Sequence, residues 1–222
     1  MEHKRAGRSQ LVNNLTADAL RAAVATQYGK VALQPKARFP FPVGRAFAEQ
    51  LGYPLNLLDT LPRPSVDAFA GISYPLRFTN LQPGEIVLDL GCGAAMDTIL
   101  AARQVGEKGH IHSLDLSDAM LECARANVGT AGLNNVTFHR APAEEIPLDD
   151  GSVDAVVVNG IFNLCPSKPP VMTEVFRVLR AGGRIVVSEI VLRDLDDGEW
   201  VGATCDLGGD GLSGLTLEKW FQ

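Results

Sequence analysis

The stretch EIVLDLGCGAAMD, residues 85–97, decides how the rest of the chain is read. Ile86 to Leu90 is apolar apart from Asp89, which predicts a buried strand. Gly91 and Gly93 then let the backbone turn sharply, and leave room for a ligand where no Cβ stands in the way. Ala95 to Gln104 carries good helix formers and predicts a helix opening at that turn. A helix N-terminus behind a glycine turn favours a carboxylate or phosphate.

The same rhythm continues downstream. HIHSLD (110–115) predicts a second strand, and Ser117 to Val128 a helix with Ser117 as N-cap and Asp118 in its first turn. VTFHRA (136–141) and VDAVVVNG (153–160) predict two more strands, Pro170 to Leu179 a helix, and RIVVSEIVL (184–192) a fifth strand. Apolar strands alternating with helices mean an α/β chain with a parallel sheet covered on both faces. Right-handed crossovers make it a doubly wound, Rossmann-like sheet that binds ligands at the carboxyl ends of its strands.

Residues 81–194 are read as this core, with 1–80 as an N-terminal cap and 195–222 as a glycine-rich tail. In the cap, Leu20, Val24 and Tyr28 recur every four residues, so 16–29 predicts an amphipathic helix capped by Thr16 or Asn14. Eight of the 13 prolines then fall between Pro35 and Pro83. Such density prevents long helices. Short helices and extended pieces are expected to fold over the core, either as a lid or as cover for a sheet edge. In the tail, DLGGDGLSG (206–214) reads as a loop and TLEKWFQ (216–222) as the start of a helix.

Composition narrows the function. The net charge of -6 argues against a nucleic-acid partner, whose backbone wants a positive face. No apolar run of about 18 residues is present, so no membrane span is predicted. The basic N-terminus lacks a following apolar segment, so no signal peptide is read and a cytoplasmic location is expected. Cys92, Cys123, Cys165 and Cys205 show no C-x-x-C spacing, and the four histidines are not grouped in sequence. No metal site is expected.

The turn itself is selective. A dinucleotide fingerprint wants G-x-G-x-x-G, and Met96 holds the third glycine position. Asp89, two residues before Gly91, would repel a pyrophosphate but not a sulfonium bearing an amino group. Asp115, at the end of the second strand, can accept hydrogen bonds from both ribose hydroxyls. APAEEIPLDDGSVDAVVV (141–158) supplies a strand end and a short acidic segment for an adenine. Together these predict a site for S-adenosylmethionine (SAM).

The sequence resembles the class I SAM-dependent methyltransferases, and within them the arsenite methyltransferases. The likeness runs from Tyr28-Gly29 to Cys205. It is carried by LGYPLNLLDTLP (51–62), LQPGEIVLDLGCGAAMDTILAARQVG (81–106) and VDAVVVNGIFNLCPSKPPVMTEVFRVLRAGGRIVVSEIV (153–191). The resemblance implies a SAM-dependent enzyme and a small-molecule acceptor. It places Asp89, Gly91 and Gly93 against the methionine part of SAM, with Cys92 in the same turn. Asp115 and Leu116 would hold the ribose and flank the adenine, and Ala143 and Glu144 would lie beside the adenine. Pro142 stands where many relatives have an acidic residue, and Ala95 replaces the common third glycine, a small change. Asn159 would line the methyl-transfer side, Glu189 is a candidate for a polar or basic role near the acceptor, and Ser73 and Tyr74 would face it.

In one respect the chain departs from that family. Arsenic(III) is held on thiolates because a soft centre binds soft sulfur. Ser73 and Gly160 stand where the family has cysteines, and the early pair is absent near Phe39 to Pro42. Cys205 remains, and Cys165 could make it a two-thiol site. The alternatives are therefore an enzyme with a changed acceptor, an arsenic enzyme using Cys165 and Cys205, or a SAM-binding protein without catalysis. The family fold also closes with two further strands after the fifth. Without them the fifth strand would be an open edge, and the molecule would dimerise through it or be poorly stable.

Overall fold

The computed structural model describes residues 16–192 together with the backbone of 200–206. The cap begins with α1 (Ala17–Leu33), whose N-cap Thr16 accepts a hydrogen bond from the Ala19 amide. The proline-rich stretch breaks into four short helices, as its composition requires: α2 (Arg45–Gln50), α3 (Leu55–Leu58), α4 (Arg63–Asp67) and α5 (Leu76–Thr79). The core follows as β1 (Ile86–Leu90), α6 (Met96–Val105), β2 (His110–Asp115), α7 (Asp118–Thr130), β3 (Val136–Arg140), β4 (Val153–Asn159), α8 (Lys168–Val178), β5 (Leu179–Leu192) and β6 (Trp200–Asp206).

The sheet order is β3-β2-β1-β4-β5-β6, and β1 to β5 are parallel. The chain winds outward from β1 to β3, then crosses back to β4 on the other side of β1. That reversal leaves a crevice at the carboxyl ends of β1 and β4. Alternate residues of each strand serve opposite faces. Val87, Ile111, Ala155 and Val157 pack with Ile99 of α6 and Val128 of α7. Leu88, Leu114, Val156 and Val158 pack with Val171, Val175 and Val178 of α8. Cap residues Leu58, Val66 and Phe69 belong to the first of these cores, so the cap is continuous with the domain it covers.

Element boundaries follow local chemistry more closely than periodicity does. Helix α8 starts at Lys168, two residues before the expected Pro170, because prolines in a first turn lose no hydrogen bond. Strand β5 starts at Leu179, five residues before the expected Arg184, and its register against β4 shifts after the Val153–Leu179 pair.

Two expectations need correction. The fifth strand is not an open edge: β6 pairs with it antiparallel, from Val186 opposite Asp206 to Leu192 opposite Trp200. A dimer through unpaired β5 backbone therefore has no basis. The segments 206–214 and 216–222, except for Asp206, lie outside the described residues. The histidines also group in space. His112 Nδ1 lies 3.0 Å from His139 Nε2, and the His110 and His112 rings are 4.8 Å apart. Adjacent parallel strands bring β2 and β3 side chains together that sequence separates. Burial and the neighbouring imidazoles push His112 down to about 4, so this cluster is neutral near pH 7. Among the described residues, no group of three or more His, Cys, Asp or Glu side chains could hold a metal ion.

One arginine ties the sheet to the cap. Arg184 donates to both carboxylate oxygens of Glu85, at 2.7 and 2.6 Å, and to the carbonyls of Thr79 and Asn80. Arg184→Met should lower stability by roughly 2 kcal/mol, because Glu85 would keep a half-buried charge without its partner. Urea denaturation checks this, and Glu85→Gln in the same background should recover part of the loss.

Candidate active site

The crevice is a cavity of about 1040 Å³, counting its open mouth. Its floor is the turn after β1. Gly91 (φ +85°) and Gly93 (φ +51°) adopt left-handed backbone that an L side chain resists. The amides of Gly91 and Cys92 donate to the Leu114 carbonyl at 2.8 and 2.9 Å, and the Asn127 side chain donates to the Ala94 carbonyl at 2.9 Å. A Cβ on Gly93 would meet nothing within 4 Å, so the backbone there is bare towards open space. Ala95 is not the easy substitution it looked in sequence. Its φ of +70° costs an alanine roughly 1 kcal/mol against glycine.

Asp115 lies at the end of β2. One carboxylate oxygen accepts from the Gly93 amide at 2.9 Å and the other from the Ser117 amide at 2.8 Å. Each oxygen keeps a further lone pair for a hydroxyl. Two other carboxyls lie deeper. Burial first, then the nearby Asp97, pushes Asp89 up to about 7, although the Thr98 hydroxyl donates to it at 2.5 Å. Burial raises Asp97 to about 6, against the pull of hydrogen bonds from Tyr53 (2.7 Å) and Asn159 (2.9 Å). A buried acid pair of this kind suits a cationic ligand, which would restore the charge of both.

Asp89, Gly91, Cys92, Gly93, Asp115, Leu116, Ala143, Glu144, Asn159 and Cys165 all line the cavity. Three other candidates do not. The Ser73 hydroxyl is 2.5 Å from that of Ser188. Tyr74 packs its ring 4.5 Å from that of Tyr53. Glu189 is 4 % exposed and accepts from the Asn163 amide and side chain and from the Ile190 amide. These contacts engage the Glu189 carboxylate with the turn that follows β4. Cys165 donates to the Ile161 carbonyl at 3.4 Å, and burial, reinforced by Glu144 and Glu189, pushes its thiol up to about 12. Cys205 stands on β6 opposite Val187, and its side chain lies outside the described residues.

Several cavity residues were not read as site residues from sequence, among them Asp97, Arg21 and Tyr28. Asp97 sits in the first turn of α6, where an acid is ordinarily explained by the helix dipole. Arg21 and Tyr28 come from α1, which crosses the cavity mouth, and Arg21 donates to Glu144 at 3.1 Å. No sequence signal links residues 123 positions apart; only the packing of α1 on α7 brings them together.

Comparison with known proteins fits this geometry. A model described as "Methyltransferase domain" matches residues 81–210, more than half of the chain. The chain belongs to the methyltransferase domain family. The domain is 38% identical over 144 residues to an arsenite methyltransferase of Halobacterium salinarum, covering 65% of this chain and 37% of that one. It is 36% identical over 110 residues to a demethylmenaquinone methyltransferase of Listeria welshimeri, covering 50% of this chain and 47% of that one. The methyltransferase domain thus spans less than half the length of these relatives. Among solved structures it resembles an arsenic(III) SAM methyltransferase of Chlamydomonas reinhardtii, with 31% identity, TM-score 0.51, and coverage of 67% of this chain and 50% of that one. A SAM-dependent methyltransferase of Aquifex aeolicus (24% identity, TM-score 0.51, 71% and 79% covered) shares the fold.

The residues present fit SAM. A bare glycine backbone faces the cavity, Asp115 keeps free lone pairs at its edge, and two buried acids stand ready for a cation.

Proposed function

We propose that this domain transfers a methyl group from SAM to a small organic acceptor seated beyond the carboxyl end of β4, and that arsenite is not its natural acceptor. SAM supplies a methyl on a positive sulfonium that departs as a neutral thioether. The chain's own part is to hold the donor, orient the acceptor and exclude water. Asp115 would take the ribose hydroxyls, and the carboxyls of Asp89 and Asp97 would face the cationic end. Apolar side chains including Val24, Phe69, Ile161 and Leu164 would keep the space dry.

The observation that carries the reading on the acceptor is the state of its sulfur. The Cys165 thiol is engaged with the Ile161 carbonyl, and burial pushes it up to about 12, so a thiolate is disfavoured there. Ile72 fills the space beside Gly160, where a Cβ would come within 2.8 Å of its side chain. A soft metalloid would find no thiolate among the described residues there. The likeness to proteins named demethylmenaquinone methyltransferases adds a precedent for an organic acceptor.

The test is release of S-adenosylhomocysteine from SAM, with and without arsenite plus glutathione, beside a SAM-binding titration. SAM should bind, and arsenite should leave release at its background rate. Arsenite-dependent release that disappears in Cys165→Ser would instead establish the arsenic reading. Binding with no turnover on any organic nucleophile would favour a SAM-binding protein without catalysis.

A further inference from the structure

The Asn159 side chain stands at the meeting point of three segments that are distant from it in sequence. Its Oδ1 accepts from the backbone amides of Ile72 and Ser73 at 2.8 and 3.2 Å. Its Nδ2 donates to the Ser73 carbonyl at 3.0 Å, to Asp97 at 2.9 Å, and to the Tyr53 hydroxyl at 3.4 Å. The 71–73 loop is therefore held by this side-chain amide at the end of β4, together with the Ser73–Ser188 hydroxyl pair. A Cβ on Gly71 would come within 2.5 Å of Nδ2, so the loop presses against that amide with no side chain between.

An amide can be turned end for end, and only its partners choose the orientation. The two loop amides want an acceptor, and the Ser73 carbonyl wants a donor. Asp97 strengthens the same choice. Its carboxylate can only accept when ionised, so it fixes Nδ2 towards α6 and Oδ1 towards the loop. Tyr53 holds the other Asp97 oxygen at 2.7 Å and keeps the carboxylate from rotating away. Tyr53 is 2 % exposed and wedged among the rings of Phe69 and Tyr74, so this support is rigid.

We infer that Asp97 is a positioning residue: through the Asn159 amide it holds the 71–73 loop as a fixed wall at the acceptor end of the cavity. The inference about loop order stands on hydrogen bonding alone. Its consequence for catalysis rests on the methyl-transfer reading above. With Asp97 removed, Asn159 Nδ2 loses its strongest partner, the amide samples the reversed orientation, and the loop amides lose their acceptor. The wall then opens while the sheet beneath it stays intact.

The experiment is backbone amide exchange followed by NMR on the full chain, comparing Asp97→Ala, Asp97→Asn and Tyr53→Phe with the native protein. Ile72 and Ser73 amides should exchange at least about tenfold faster in Asp97→Ala, and by an intermediate factor in Asp97→Asn, which keeps one acceptor oxygen. Tyr53→Phe, which keeps the carboxylate, should change them by less than either. Amides of Leu88 and Val156, in the strands, should stay within about twofold throughout. Unchanged exchange at Ile72 and Ser73 would overturn the inference, and so would equal acceleration at all four positions, which is loss of global stability. If Asp97→Ala does not fold, Asp97→Asn decides. A SAM titration on the same samples separates this outcome from the functional reading: the Asp97 variants, which also remove a carboxyl from the donor end, should bind SAM more weakly, and a loosened loop supports the role whatever SAM affinity or acceptor is found.

Discussion

Gly91→Ala should destabilise the domain by roughly 2–5 kcal/mol and weaken SAM binding more than tenfold. Two costs combine. The backbone at residue 91 has φ +85°, where an alanine pays about 1–2 kcal/mol in steric strain. The new Cβ would also fall 2.2 Å from Cγ2 of Ile161, far inside contact distance, and overpacking of this kind costs about 1–3 kcal/mol. Relief must come from Ile161 moving or from the turn opening. Ile161 lines the cavity, and the turn carries the amides of Gly91 and Cys92 that hold Leu114. Either movement reshapes the donor site. The double variant Gly91→Ala with Ile161→Ala separates the two costs. It should recover the contact part and leave the backbone part. Chemical denaturation gives the first number, and calorimetric titration with SAM the second. A single variant as stable as the native chain would show that the turn is softer than its geometry implies.

Asp89→Asn should act with opposite signs on stability and on binding. Asp89 has an ordinary carboxyl value of 3.8, and in the folded chain burial raises it to about 7. The folded state therefore holds its proton more tightly than the unfolded state does. The favourable contribution is complete below about pH 4 and is lost as pH rises through 7, where a buried charge must form beside Asp97. At pH 8 the native chain carries that penalty and the Asn variant does not. The variant should therefore be more stable at pH 8 by roughly 4 kcal/mol, with the gain vanishing towards pH 4. An amide oxygen still accepts from Thr98, so the local hydrogen bond survives.

Binding runs the other way. A cationic donor stabilises the ionised carboxyl, so native SAM affinity should rise between pH 5.5 and 8, with a proton released on binding. In Asp89→Asn the affinity should fall at least tenfold at pH 8 and lose most of that pH dependence. Titration calorimetry in two buffers of different ionisation heat counts the proton. A variant that binds SAM like the native chain at pH 8 would remove Asp89 from the donor site. The trade of stability for a charged site is common where function needs a strained group.

How much of this was legible beforehand depends on the distance over which a residue acts. Gly91, Gly93, Asp89 and Asp115 sit at the ends of β1 and β2, and strand, turn and helix are local events written in consecutive residues. Alternating apolar strands and helices likewise fix a parallel doubly wound sheet, since few other arrangements bury both faces. The N-cap roles of Thr16 and Ser117 follow from a single side chain meeting an amide three residues on. All of these were read from sequence because their partners lie within a few positions.

Tertiary structure alone decided the rest. Asp97 looked like an ordinary helix-start acid, and became the partner of Tyr53 and Asn159 only when the cap folded onto β4. Glu189 lies near the carboxyl end of an apolar strand, as a functional acid might. Whether it faces the cavity or the Asn163 turn depends on the path of the chain after β4. The grouping of His110, His112 and His139 depends on the register of β2 against β3, and the covering of β5 on a strand drawn from a segment that read as tail. The sequence by itself determined the sheet, the glycine turn and the class of donor it suits, because these rest on short-range chemistry. Which carboxyls share a pocket, which thiol stays protonated and which amide holds the loop were set by contacts between segments tens of residues apart. Burial and orientation at those contacts exist only in the folded chain.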